Sequence, residues 1–255
     1  ALGRIHSIDC SLLPTNIGPT KLGKRFAVAQ KRLHAFGDIS PVMQFGLNWL
    51  IDHAPTEAPC VLLHGDFRTG NLLIDDNGLA GVLDWELAHQ GPAEEDLGYL
   101  CAHVWRFGQL DKPVGGFGHY EDLIAGYESI AGWAPALTTV RYWEIFAALS
   151  WGLVCQTMGA LWHSGNGDVE RAAIVRRRSE AELDMLLLME VTVEQLRKLY
   201  LFVVCGVLVF FSFVAPCLAV FSQASTFNQD VSKWNTGAVI YMNSSKCTLS
   251  PFLWP

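Results

Sequence analysis

Residues Cys60 to Glu86 read C-V-L-L-H-G-D-F-R-T-G-N-L-L-I-D-D-N-G-L-A-G-V-L-D-W-E. The stretch divides into three short apolar runs: Val61-Leu62-Leu63, Leu72-Leu73-Ile74, and Leu79 with Val82-Leu83. A polar loop separates the first two. Asp75-Asp76-Asn77-Gly78 separates the last two, and Asn-Gly between apolar runs is a strong signal for a hairpin. The reading is strand, loop, strand, tight turn, strand. His64-Gly65-Asp66 ends the first run, Asn71 opens the second and Asp84 closes the third. Such a hairpin gathers Asp66, Asn71 and Asp84 at one end of a small sheet. They form a set of oxygen-bearing side chains with no lysine close by in sequence.

A hard divalent cation such as Mg²⁺ takes oxygen ligands, usually one or two of them carboxylates, and fills its shell with water and phosphate. Asn71 and Asp84 suit that role. Asp66 is then free to orient a hydroxyl and take its proton late in a phosphoryl transfer. An Asp, four residues, an Asn, a hairpin and a further Asp is the order of the kinase catalytic loop and its metal-binding Asp. Here the loop is H-G-D-F-R-T-G-N, and Asp84-Trp85-Glu86 stands where a protein kinase carries Asp-Phe-Gly. Singly, each of these residues reads as a turn former; the joint pattern is what points to chemistry. His64 has no H-E-x-x-H or C-x-x-C context for zinc and reads as a residue that hydrogen-bonds the loop. Arg68 reads as an assistant to phosphate or substrate, and Glu86 as an assistant to metal or substrate. An exposed ion pair explains both equally well.

The stretch resembles the aminoglycoside phosphotransferase family of small-molecule kinases, which includes choline and homoserine kinase relatives. The likeness continues through G-V-L-D-W-E-L-A-H-Q-G-P-A-E-E-D-L-G-Y-L, W-R-F-G, P-V-G-G-F-G and Y-W-E-I-F, and is similar to a branch also found fused to acyl-CoA dehydrogenases. It covers about residues 1–190. It implies a kinase-like fold with Asp66 as catalytic base, Asn71 and Asp84 holding Mg²⁺, and Asp96 bracing the catalytic loop from the next helix. ATP is the implied co-substrate, and a small molecule's hydroxyl the implied acceptor. One departure is that family members often carry Gly-Asp-Pro where this chain has Gly91-Pro92.

The chain has 255 residues and a net charge of −7, so no basic surplus argues for nucleic acid. Its seven cysteines include no C-x-x-C pair, which reads as reduced thiols in a cytosolic domain. Upstream of the catalytic stretch, helices are expected over 1–13, 21–36 and 41–53. No strand with a G-x-G-x-x-G loop precedes Asp66, so the expectation is a kinase C-terminal lobe whose nucleotide-gripping lobe is missing. Downstream, Glu94-Glu95-Asp96 opens a helix, where acidic residues favour the dipole. Residues 97–107 pack inward, 108–118 is a loop, and helices follow over 123–130, 138–162 and 169–189. The fold class is α+β: a mostly helical kinase-like C-lobe carrying a small β-hairpin site.

Composition breaks near Arg197. Residues 200–221 carry no charge. As a helix they are about 33 Å long against a hydrocarbon thickness of about 30 Å, which suggests a transmembrane span. Arg197 and Lys198 precede the span, so the kinase-like part faces the cytosol. Residues 222–255 contain F-N-Q-D-V-S-K-W, similar to one repeat of BspA-like surface proteins; a single copy should be poorly ordered. Two rival functions follow: a catalytically dead fragment that binds a ligand, and a membrane-anchored interaction protein.

Overall fold

The hairpin forms where Asn77-Gly78 lies. In the computed structural model, which describes residues 1–192 apart from Asp38, Glu57 and Ala58, β2 (Leu72–Asp75) pairs antiparallel with β3 (Gly78–Val82). Asp75 Oδ1 accepts the Asn77 N–H at 2.7 Å, and Gly78 turns the chain at φ 109°. The first apolar run is β1 (Val61–Leu63), but it does not join that hairpin. It pairs antiparallel with β4 (His89–Gly91), in the register Val61↔Gly91 and Leu63↔His89. The expected single sheet is therefore two separate two-stranded sheets. His89-Gln90-Gly91 has neither alternation nor β-branched residues. It is made a strand by its neighbours: Gln90 donates through N to Gly18 O at 3.2 Å and through Nε2 to Ile17 O at 2.7 Å.

The helices carry the rest. They are α1 (Leu2–His6), α2 (Leu22–Leu33), α3 (Pro41–Asp52), α4 (Glu94–Cys101), α5 (Tyr120–Ala131), α6 (Leu137–His163), α7 (Val169–Val175) and α8 (Arg178–Leu188). Local rules start several of them. Ser40 caps α3 by accepting the Met43 N–H at 3.2 Å, with Pro41 at the first helical position. Asp168 caps α7 through the Arg171 N–H at 2.7 Å, and α5 stops at Gly132 with φ 77°.

Three further expectations change. The helix expected over 1–13 ends at His6, and the chain resumes as a separate 3₁₀ turn, Cys10–Leu12, after Asp9. The inward-packing run over 97–107 breaks after Cys101 and resumes as a 3₁₀ turn, His103–Trp105. Arg106 stabilises the break, donating Nε and Nη2 to the Cys101 carbonyl at 3.2 and 3.0 Å. The helix expected over 169–189 is two. The chain tightens to i→i+3 bonds at Arg176 and Arg177 and turns between α7 and α8.

The long helix α6 is the centre. On one side Leu33, Met43, Leu47, Leu149 and Met185 form the larger apolar core between α2, α3, α6 and α8. On the other, Phe67, Leu97, Leu100, Tyr127 and Val140 form a second core under the Cys60–Glu86 stretch. Among the described residues, α6 is the one helix long and apolar enough to cross a membrane, and more than half of its most apolar window is buried inside this fold. By internal contacts the chain divides into Ala1–Leu201 and Phe202–Pro255. The expected span at 200–221 and the repeat at 222–255 lie outside the described residues.

Candidate active site

β1 runs from Val61 into the buried interior and ends at Leu63; His64, next in the chain, is fully buried. Gly65 then reverses direction at φ 81°. A Cβ there would sit 2.4 Å from the Leu87 carbonyl oxygen, so the turn requires glycine. The turn is held from α4. Asp96, also fully buried, accepts the His64 N–H on Oδ2 at 2.8 Å and the Gly65 N–H on Oδ1 at 2.9 Å. His6 of α1 contacts the same Oδ2 at 3.2 Å through Nε2, and its Nδ1 meets Tyr127 Oη at 3.0 Å.

The His64 ring ties the two halves of the site together. Its Nδ1 accepts the Asp66 N–H at 3.2 Å, and its Nε2 lies 2.9 Å from the Leu83 carbonyl. A backbone N–H can only donate and a carbonyl can only accept, so the proton sits on Nε2. Phe67 and Trp85 meet this ring edge-on, with centroids at 5.9 and 4.6 Å.

Asp66 is surrounded by donors. Tyr99 Oη donates to Oδ1 at 2.7 Å, Asn71 Nδ2 donates to Oδ2 at 2.7 Å, and Arg68 Nε reaches both oxygens at 3.3 and 3.1 Å. The Arg68 guanidinium also lies over the Trp105 ring, 4.9 Å from its centroid. Burial, reinforced by the Asp66 carboxylate, pushes the Tyr99 phenol far above its ordinary value. Tyr99 therefore remains a hydrogen-bond donor at every working pH.

Asn71 is buried, and its Nδ2 also donates to the Asp66 carbonyl at 2.9 Å. That leaves Oδ1, the atom a cation requires, outside both bonds. Its backbone carbonyl accepts the Leu83 N–H at 2.8 Å, which brings Asp84 beside it at the open end of the hairpin. Asp84 is exposed with φ 68°, a left-handed conformation uncommon for a residue with a side chain. Among the described residues its carboxylate makes no hydrogen bond or ion pair. No group of three or more His, Cys, Asp or Glu side chains could hold a metal among those residues. Mg²⁺ needs no such cage: one carboxylate, one amide oxygen, water and phosphate are enough, and Asn71 and Asp84 fit that donor set.

Glu86 is exposed and lines a cavity of about 510 Å³ beside the loop, together with Gly65, Tyr99, Trp143, Trp151 and Arg32. A smaller cavity of about 300 Å³ shares Arg25 and Arg32 with it and adds Lys24. Arg25 is committed elsewhere. It pairs with Glu95 and lies over the Trp143 and Phe146 rings at 5.2 and 4.5 Å. His89 approaches the other Glu95 oxygen at 3.3 Å. Burial alone would raise the Glu95 carboxyl, but His89 and the Arg25 guanidinium outweigh it and hold it below its ordinary value. Burial alone would lower His89, and Glu95 reverses that too, leaving the imidazole raised.

The structure thus joins Asp66, Arg68 and Asn71 directly, sets Asp84 next to Asn71, and anchors the loop through His64 and Asp96. Glu86 stands apart on the cavity wall. Sequence reasoning missed Tyr99, Trp105 and His6. Tyr99 had a readable signal, because it lies one helical turn after Asp96 and so faces the same loop. Trp105 and His6 had none, since their contacts cross 37 and 90 positions of chain.

Two curated relatives are similar over part of the chain. An Arabidopsis thaliana protein assigned as acyl-CoA dehydrogenase IBR3 is 30% identical over 130 residues, 44% of this chain and 15% of that protein. Acyl-CoA dehydrogenase family member 10 of Mus musculus is 38% identical over 63 residues, 24% of this chain and 6% of that protein. The chain therefore spans a small part of the curated relatives it matches. Among solved structures, a Ralstonia eutropha protein assigned as an aminoglycoside phosphotransferase superposes with a TM-score of 0.63 at 20% identity. The match covers 74% of this chain and 62% of that one, and it supports the kinase-like fold. The profile of the phosphotransferase enzyme family matches residues 1–133, more than half of the sequence and all of the loop just described, so the chain belongs to that family.

Proposed function

We propose that this chain carries the catalytic half of an ATP-dependent phosphotransferase acting on a hydroxyl group of a small molecule. The observation that carries the reading is the double use of Asn71. Its side chain positions Asp66, and its backbone positions the strand end that bears Asp84. Asp66 orients the acceptor hydroxyl and receives its proton as the bond to phosphorus forms. Tyr99 and Asn71 keep one carboxylate orientation on offer, and Arg68, already within reach of Asp66, can turn its charge toward a transferring phosphoryl group. Asn71 Oδ1 and Asp84 hold Mg²⁺, which when bound neutralises charge on the nucleotide phosphates. His64 and Asp96 support the loop without touching the reactants.

The cavity beside Gly65 is the acceptor site in this reading. Its walls are aromatic, and Arg25 and His89 balance Glu95. Arg32 and neighbouring Lys24 have no ion-pair partner among the described residues, and Glu86 is the opposing free carboxylate. A polycationic acceptor meets like charge there. A hydroxylated anion with an apolar body matches both the walls and the free cations.

The test is phosphate transfer from Mg²⁺-ATP to a panel of hydroxylated anions and cations, with the whole chain and with Asp66→Ala. Turnover on anionic acceptors is expected, with loss of at least a thousandfold in the variant and an unchanged circular dichroism spectrum. Undiminished transfer by the variant removes Asp66 as base. Absence of Mg²⁺-dependent ATP binding favours the ligand-binding fragment instead. The charge-free stretch at 200–221, preceded by Arg197 and Lys198, supports a membrane anchor with the phosphotransferase on the cytosolic side. Extraction from membranes by alkaline carbonate counts against that anchor.

A further inference from the structure

Four cysteines fall among the described residues, and they divide sharply. Cys101 is buried in the second core, and Cys155 is fully buried on α6. Burial pushes the Cys101 thiol well up and the Cys155 thiol up to about 11, so both are poor nucleophiles. Cys60 is exposed and Cys10 is partly so. These two lie against each other although 50 positions separate them: Cys10 Sγ is 3.8 Å from the Cys60 carbonyl oxygen. That oxygen is about 2.4 Å from its own Cα by fixed covalent geometry, so the Cys10 sulfur is within about 6 Å of the Cys60 Cα. The two residues are therefore spatial neighbours, the first condition for a disulfide between their thiols.

The backbone on both sides is tied down. Cys10 opens a 3₁₀ turn capped by Asp9, whose Oδ1 accepts the Ser11 N–H at 2.9 Å. Cys60 immediately precedes β1, which leads directly into His64-Gly65-Asp66. The segment that carries Cys10 begins with α1, where His6 contacts the same Asp96 carboxylate that holds the His64 and Gly65 N–H groups. A covalent link there fixes α1 to the strand that delivers the catalytic loop.

We propose that Cys10 and Cys60 are a reversible redox modification site that closes to an intramolecular disulfide. The oxidant is a low-molecular-weight disulfide such as oxidised glutathione. The exposed Cys60 thiolate attacks it, forming a mixed disulfide and releasing one glutathione thiol. The Cys10 thiolate then attacks the Cys60 sulfur and expels the second glutathione. Two protein thiols are oxidised, one glutathione disulfide is reduced to two thiols, and both protons leave the protein with no other co-reactant. Disulfides in reducing compartments are commonly of this transient, sensing kind.

The experiment uses the full chain, wild type and Cys10→Ser and Cys60→Ser, equilibrated with glutathione at graded ratios of oxidised to reduced form. Free thiols are alkylated and the protein is cleaved with trypsin without reduction. Cleavage after Arg4, Lys21, Arg32 and Arg68 puts Cys10 in peptide 5–21 and Cys60 in peptide 33–68. A linked 5–21/33–68 species is expected to dominate at oxidising ratios and to disappear with dithiothreitol. Closing a loop of about 50 residues should also raise Tm by on the order of 5 °C or more in wild type, with no rise in either variant. Persistence of Cys60 as a glutathione adduct with Cys10 alkylated overturns the proposal. So does a linked species that uses Cys205, Cys217 or Cys247 in place of either partner.

Discussion

Asp96 shows how much one buried carboxylate can hold. It bears no solvent-exposed surface and accepts from two consecutive backbone N–H groups, with His6 as a third neighbour. Those two N–H groups belong to the turn that aims Asp66. Asn at position 96 keeps one carbonyl acceptor but sets an amide NH₂ against the other backbone N–H, leaving buried donors facing each other. Asp96→Asn is expected to cost about 3 kcal/mol of stability, read as a lower urea midpoint at unchanged m-value. A loss under 0.5 kcal/mol would mean that the loop holds itself. Asp96 is the residue whose position the family resemblance places best, because the motif D-L-G-Y-L marks the start of α4. The pattern carries no hint that His6, 90 positions earlier, completes the same cluster.

At the scale of elements, the packing of α4 on α6 decides where Asp96 and Tyr99 sit. Gly98 makes the approach possible. A Cβ there would lie 2.6 Å from the Val140 carbonyl oxygen and 2.7 Å from the Glu144 nitrogen, both backbone atoms that cannot turn aside. Helix propensity favours Ala over Gly by about 1 kcal/mol, so propensity and packing give opposite signs. Packing wins here: Gly98→Ala should destabilise by about 2 kcal/mol or more, read as a lower Tm. A rise in Tm for this variant would show that the two helices have room to spare. The same pair of elements is pinned from the segment after α4 and from the start of α5. Arg106 Nη2 donates to Glu144 Oε1 at 2.7 Å, and Tyr120 Oη donates to Oε2 at 2.7 Å. Arg106 also caps the end of α4, so one guanidinium ends a helix and ties it to its neighbour.

Across the described residues, the buried Glu144 and Glu95 and the half-buried His89 shape the pH range of stability. Burial pushes the Glu144 carboxyl up to about 7, although Tyr120 and Arg106 pull the other way. The folded chain therefore holds that proton more tightly than the unfolded chain, and stability falls as pH rises from about 4.5 to 7, by on the order of 3 kcal/mol. His89 acts in the same direction. Its folded value is raised above 6.5, so its contribution is complete below 6.5 and is lost as pH rises through the folded value. Glu95 acts on the acid side. Held below 4.5, it stabilises above that pH and ceases to as pH falls through the folded value. The expected profile peaks near pH 5 and declines toward pH 8. Glu144→Gln should flatten the decline between pH 4.5 and 7, as urea titrations at successive pH values would reveal. An unchanged slope in that variant would assign the decline to other groups.

Much of the backbone course of Cys60–Glu86 was legible because its signals are local. Asn77-Gly78 dictates a hairpin through backbone conformation alone, and H-G-D-F-R-T-G-N places an Asp and an Asn at a spacing that one loop can bring together. The helical periodicity over 41–53 and 138–162 likewise needed no partner to be read. The tertiary structure alone decided the rest. β1 pairs with His89-Gln90-Gly91, a segment with no strand character, because residues 17–20 and β1 leave its backbone groups no other partners inside the fold. The Arg25–Glu95–His89 cluster joins α2, β4 and α4 across 70 positions. Tyr99 becomes a ligand of Asp66 only once Gly98 lets α4 settle on α6. Backbone preference acts over a few residues and is written into each short stretch. Burial and charge pairing depend on which distant segments share an interior, and that emerges only when the chain has closed around it.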